Sequence, residues 1–266
     1  MKYMIIENDL ELIKKYNKLK IDRIFLDLEI LGKEQRQGHL NTVISSHHKI
    51  EDVKKISKIL SNSSLLVRVN PINEQSFFEI NKCIKDGADI LMLPMFKTVK
   101  EVSEFIEIVD GRVKTCLLLE TAEALCRVDD IIEIEGIDEI HIGLNDLHLS
   151  MNLKFMFELL SGGIVEYILN KLKEKNIPYG FGGIAALDDG IISGNMILKE
   201  HVRLNSSMVI LSRTFKEMVT KDFELFENEF LKMKNTHRDL CVNFNQILLD
   251  NNRIKLKKII KSFVNE

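Results

Sequence analysis

The chain has 266 residues, 45% of them hydrophobic, and 37 basic against 40 acidic side chains give a formal charge of −3. That balance supplies no overall field to recruit nucleic acid or a membrane surface, so small ligands suit it better. The length and apolar content fit one large α/β domain. Four cysteines (Cys83, Cys116, Cys126, Cys241) without CxxC spacing read as free thiols in a reducing cytoplasm.

In chain order, short apolar runs stand at 3–6 (YMII), 23–29 (RIFLDLE), 64–70 (SLLVRVN), 88–94 (ADILMLP), 114–120 (KTCLLLE), 139–144 (EIHIGL), 178–184 (PYGFGGI) and 207–212 (SMVILS). Such runs alternating with helical patterns describe parallel strands joined by crossover helices. Eight is the number that closes a (β/α)8 TIM barrel, an α/β fold. In EQSFFEINKCIKDG the helical period places Phe77, Ile80 and Ile84 on one stripe, and Gly87 ends the turn. A ninth apolar stretch, TVISS at 42–46, is expected to be an insertion over the barrel mouth after strand 2; the alternative is a true strand that opens the sheet. No apolar run approaches the length of a signal or membrane span, which implies a soluble cytoplasmic protein. Beyond residue 215 the pattern is helical only. Phe223, Phe226, Phe230 and Met233 form one stripe, and Leu256, Ile259, Ile260 and Phe263 form another that suits a docked helix or a subunit contact. The expected division is a catalytic barrel over 1–215 and a C-terminal helical extension over 216–266, in the same domain or at a subunit interface.

The runs LLVRV, ILMLP, CLLLE and IHIGLND place Arg68, Pro94, Glu120 and Asp146 at or next to their ends, at a constant step of 26 residues. A strand that turns charged only at its end delivers that charge to the sheet edge where active sites are built. Neighbouring strands lie about 4.8 Å apart, so Glu120 and Asp146 can share one divalent ion, and hard oxygen ligands suit Mg²⁺ or Mn²⁺. The competing roles are a salt bridge for Glu120 and a helix N-cap for Asp146. Asp27 and Glu29 alternate with Leu28 and face one side of their strand. Arg68 is expected either to grip a substrate carboxylate through two parallel hydrogen bonds or to pair with Asp27 or Glu29, and the two roles can coexist. Asp27, Glu29 and Arg68 are therefore catalytic candidates. Within GKEQRQGHLNTVISSHH, His47 and His48 titrate in the right range for acid–base work, with solvated loop positions as the alternative. Lys33 and Arg36 are candidates to bind a phosphate or second carboxylate, and His39 comes from the same segment. His141 alternates into the barrel interior, whereas His148 reads as a loop residue. Arg213 is either a substrate contact or one half of a structural pair, and the glycines of GFGGIAALDDG serve either ligand approach or tight packing.

The stretches FLDLE (25–29), LVRVNP (66–71), GADILMLPM (87–95), LLLETAEAL (117–125) and IDEIHIGLNDLHLS (137–150) resemble, in order, those of the HpcH/HpaI aldolase and citrate lyase family of phosphoenolpyruvate/pyruvate-type barrels. The resemblance covers roughly residues 20–215. It implies that Glu120 and Asp146 bind one divalent metal, Mg²⁺ or Mn²⁺, and that Arg68 helps hold an oxo-acid. It also implies that the backbone of Gly143, Leu144, Asn145 and Asp146 cradles the pyruvyl carboxylate. The implied chemistry is class II-type aldol cleavage or formation through a pyruvate enolate, which needs no Schiff-base lysine such as Lys97.

Two departures stand out. Ile30 occupies the place of a family histidine or acid, and Leu118 that of a common glutamine. The expected partner is a small-molecule 2-oxo acid or its aldol, in a homo-oligomer, with no nucleic acid and no membrane. The alternatives are a citrate-lyase-like acyl-CoA or thioester lyase, and a non-catalytic, metal-dependent oxo-acid-binding protein.

Overall fold

The computed structural model describes residues 1–32 and 48–265. Lys33, Arg36, His39, His47 and the TVISS stretch at 42–46 lie outside the described residues. Eight parallel strands, Lys2–Ile6 (β1), Arg23–Asp27 (β2), Ser64–Arg68 (β3), Ile90–Leu93 (β4), Lys114–Leu119 (β5), Glu139–Ile142 (β6), Tyr179–Ile184 (β7) and Met208–Leu211 (β8), pair in sequence order. β1 closes the ring on β8. With the intervening helices this is a (β/α)8 TIM barrel followed by C-terminal helices.

The strands are nearly continuous apolar runs because both of their faces are buried. One face, including Ile24, Leu26, Leu65, Val67, Leu117 and Leu119, packs against the surrounding helices. The alternate positions Met4, Phe25, Leu66, Met92, Cys116, Leu118 and Met208 fill the barrel interior. The period of two then puts polar residues on the same inward columns: Arg23 and Asp27 at the two ends of β2 with Phe25 between them, and Glu139 and His141 on β6. Cys83 and Cys116 are buried free thiols.

Helix Ser76–Lys85 corrects the expected stripe. Its buried residues are Ser76, Ile80 and Cys83, while Phe77 is 70% exposed. The apolar face is rotated toward Cys83 because the helix packs on the strands through Ile80 and Cys83, three residues apart. Gly87 does end this unit, at φ +101°, where an added Cβ would sit 2.8 Å from Ser57.

Helix Phe223–Val242 buries Phe226, Phe230 and Met233, with Phe230 edge-on to Tyr3 and Phe226 against Tyr16. The last helix, Gln246–Asn265, buries Leu249, Asn252, Leu256 and Ile260. Ile259, expected on that buried face, is partly exposed, and so is Phe263. Asn252 donates from Nδ2 to the Met196 carbonyl (3.0 Å) and to Glu200 Oε1 (3.2 Å), which fixes the helix on Gly194–Arg203. Among the described residues no helix is long and apolar enough to cross a membrane.

Candidate active site

At the carboxyl ends of the strands a cavity of about 470 Å³ opens, lined among others by Arg68, Glu120, His141, Gly143, Asn145 and Asp146. β5 delivers Glu120 one residue past its end. The carboxylate is 3% exposed and accepts the Met95 amide at 3.2 Å. Met95 sits at φ +52°, a left-handed conformation uncommon outside glycine, and that conformation presents its N–H to Glu120. Burial pushes the Glu120 carboxyl well above the usual carboxylate range, and the charges of Asp146 and Glu29 add to the push. Arg68 and the Met95 amide offset only part of it.

Asp146 is reached differently from the sequence expectation. β6 stops at Ile142, and the residue lies in the first turn of helix Leu144–Ser150, whose N-cap is Gly143. It is therefore neither a strand end nor the cap. An acidic side chain in a first turn is favoured by the helix dipole. Gly143 is required by close approach, since a Cβ there would lie 2.7 Å from Glu120 Oε2. Its own N–H donates to the Leu119 carbonyl (3.0 Å), so of the four residues expected to cradle a carboxylate, Gly143 has its amide engaged within the barrel. Leu144, Asn145 and Asp146 begin the helix, where amides have no intrahelical acceptor.

Arg68 ends β3 in a cage of acids. Nε and Nη2 donate to the two oxygens of Asp27, both at 2.8 Å, and Nη1 lies 3.3 Å from Glu29. Burial alone would lower the pKa of the guanidinium, but Asp27 and Glu29 outweigh it and hold the charge firmly. The internal ion pair thus exists, and Arg68 still lines the cavity. His48 is buried, and its Nδ1 accepts the Asp27 amide at 2.9 Å, so the neutral ring keeps its proton on Nε2. His141 is buried in the barrel with Nε2 3.0 Å from the Gly182 carbonyl. Burial depresses its pKa to about 4.

His148 is not in a loop; it is buried in helix Leu144–Ser150, with Nδ1 3.3 Å from the Leu144 carbonyl. Lys97 is exposed and paired with Glu123 at 3.0 Å. Arg213 lines the rim of the cavity as the first residue of helix Arg213–Lys221. Ile30 is 68% exposed, while its amide donates to Asn70 Oδ1. That position is thus fixed in backbone and carries no acid–base group. Among the described residues no group of three or more His, Cys, Asp or Glu side chains is arranged to hold a metal. Sequence reasoning missed the cavity wall of Phe155, Met156, Phe157, Ile191 and Ile192. The alternating aromatics of KFMF were its one visible signal.

A sequence model of the HpcH/HpaI aldolase/citrate lyase family matches residues 7–158, more than half of the chain. The chain is 25% identical over 203 residues to the hydroxypyruvate/pyruvate aldolase of Roseobacter denitrificans (strain ATCC 33942 / OCh 114), covering 63% of this chain and 76% of that protein. Among solved structures, an HpcH/HpaI aldolase from Desulfitobacterium hafniense DCB-2 superposes with a TM-score of 0.64 at 13% identity, over 84% of this chain and 91% of the other. An HpcH/HpaI aldolase/citrate lyase family protein from Burkholderia cenocepacia J2315 gives 0.63 at 15% identity, over 83% and 91%. The chain belongs to the HpcH/HpaI aldolase/citrate lyase family.

Proposed function

We propose that this protein is a divalent-metal-dependent carbon–carbon lyase that cleaves or forms a 2-oxo-acid aldol through the enolate of a pyruvyl fragment. The observation that carries this reading is the placement of Glu120: a buried carboxyl on the cavity wall, whose ionised form is disfavoured first by burial and then by the charge of Asp146. Glu120 and Asp146 would hold a divalent cation, whose charge would offset the cost of ionising Glu120, and their hard oxygen donors suit Mg²⁺ or Mn²⁺. When bound, the ion supplies Lewis-acid polarisation of the 2-oxo group.

The chain's own residues do the rest. Arg68 is hydrogen-bonded to Asp27 through Nε and Nη2 and ion-paired with Glu29 through Nη1, which fixes the plane in which the guanidinium can meet a substrate oxygen. Asp27 and Glu29 are thereby positioning residues for Arg68. The first-turn amides of Leu144 and Asn145 offer donors to the carboxylate of the pyruvyl fragment. Low-dielectric surroundings strengthen each of these contacts as negative charge develops on the enolate oxygen.

The test is exchange of the pyruvate methyl protons with heavy water in the Mn²⁺-supplemented protein, followed by NMR. Exchange that is lost in Arg68→Ala and Glu120→Gln supports the lyase. A second reading, an oxo-acid-binding protein without turnover, draws on the exposed Ile30 in place of an acid–base side chain. Pyruvate binding without any methyl exchange selects it.

A further inference from the structure

The cavity has two chemically different walls. Arg68, Glu120 and Asp146 stand on one side. The other is apolar, built from Phe155, Met156 and Phe157, from Ile191 and Ile192 after β7, and from Leu211 of β8. This second wall is constructed rather than incidental. Phe155 meets Phe157 edge to face at 5.2 Å, and Phe263 of the last helix packs on Phe155 at 4.5 Å. Lys154 Nζ caps the same helix at the Val264 carbonyl, 2.9 Å away. The C-terminal helix is therefore a buttress of the substrate cavity as well as part of the outer layer. A three-carbon pyruvyl fragment held at Arg68 and Glu120 fills only part of about 470 Å³, so the remaining space belongs to the other reactant.

We propose that the other reactant is an apolar aldehyde, aliphatic or aryl, with no phosphate or carboxylate at its far end; this rests on the lyase reading above. In the forming direction the enolate carbon bonds to the aldehyde carbon, and the carbonyl electron pair moves onto oxygen, which takes a proton to give a 4-hydroxy-2-oxo acid. In cleavage that hydroxyl proton leaves and the electrons of the broken carbon–carbon bond return to the enolate. A charged far end would be stripped of water on Phe155, Phe157 and Ile192, whose side chains offer it no polar partner, whereas each methylene fully buried there gains about fourfold in binding. Arg213 and Thr214 line the same cavity, and they are the place where a charged far end would have to be received.

The test uses the Mn²⁺-loaded full chain with pyruvate and a panel of propanal, butanal, hexanal and benzaldehyde against glycolaldehyde, succinic semialdehyde and glyceraldehyde 3-phosphate. The expected result is a kcat/KM that rises two- to fourfold per methylene up to hexanal and exceeds that of both charged aldehydes at least tenfold. Ile191→Glu, at an exposed rim position, should cut the hexanal-to-glycolaldehyde preference at least tenfold. Methyl exchange with a flat chain-length series, or with succinic semialdehyde preferred, overturns the inference and leaves the lyase standing. If the wild type shows neither exchange nor aldol product, the lyase falls and the wall is read by calorimetry in the presence of Mn²⁺. 2-Oxooctanoate binding at least tenfold tighter than 2-oxoglutarate then supports an apolar ligand, and the reverse order overturns it.

Discussion

The two ends of the barrel interior carry the same kinds of charge and use them in opposite ways. At the amino-terminal end Arg23 of β2 and Glu139 of β6, opposite each other across the ring, form a buried two-pronged pair through Nη1 and Nη2, the latter at 2.8 Å. Lys2 is 3.9 Å from the same glutamate. At the carboxyl end Arg68 is shared by Asp27 and Glu29, and Glu120 is left with its carboxyl pushed up by burial and by Asp146. The lower end is matched and plugged by Met4 and Met208, whose sulfurs touch the Arg23 guanidinium. The upper end opens on the cavity, with Glu120 in its wall. A balanced buried pair is a structural device, whereas an acid held out of balance beside a cavity is poised for a ligand.

Breaking the lower pair gives the largest effect. Arg23→Ala should cost about 3–5 kcal/mol in urea unfolding, because Glu139 is then buried without its partner. The double change Arg23→Met with Glu139→Leu should recover most of it. A loss under about 1 kcal/mol in the single variant would remove the distinction between the ends.

His141 lies between them on β6, and its folded pKa of about 4 stands below the ordinary 6.5. The unfolded chain therefore takes up the proton first, and stability is lost as pH falls from 6.5 toward 4, by up to about 3 kcal/mol. His141→Phe should flatten that part of the acid limb in a pH series of unfolding curves. Buried His201, depressed in the same direction, keeps the remainder.

Glu120 has the opposite sign. Its raised folded pKa gives stability that is full below the ordinary value of 4.5 and lost as pH rises through the folded value. Metal-free Glu120→Gln should melt about 2–4 °C above wild type at pH 8 and no higher than wild type near pH 4, by calorimetry. The smallest effect is expected away from both ends: Phe77→Ser should change stability by no more than about 0.5 kcal/mol, against about 2–5 for Ile80→Ala on the buried face of the same helix.

The barrel was legible because each strand is apolar on both faces, a pattern that survives without knowledge of partners. The cage of Arg68 was legible too, since the alternation of Asp27, Leu28 and Glu29 already put both acids on one side of β2. Helix phase was less so: three apolar residues in SFFEI fit more than one stripe, and only packing on the strands chose Ile80 and Cys83 over Phe77. Asp146 was placed near its neighbour by the constant step, but the early stop of β6 at Ile142 moved it into a helix. The apolar wall was hidden for a different reason. Its members come from Phe155 to Leu211 and meet only through the closed ring, so no local pattern announces them.

The most direct measurement is Mn²⁺ titration, by calorimetry, of the wild type, Glu120→Gln and Asp146→Asn. The expected result is one ion per chain in the wild type and at least a hundredfold weaker affinity in each variant, with the fold unchanged by circular dichroism. Wild-type affinity retained in both variants would contradict the assignment of these two carboxylates to the metal.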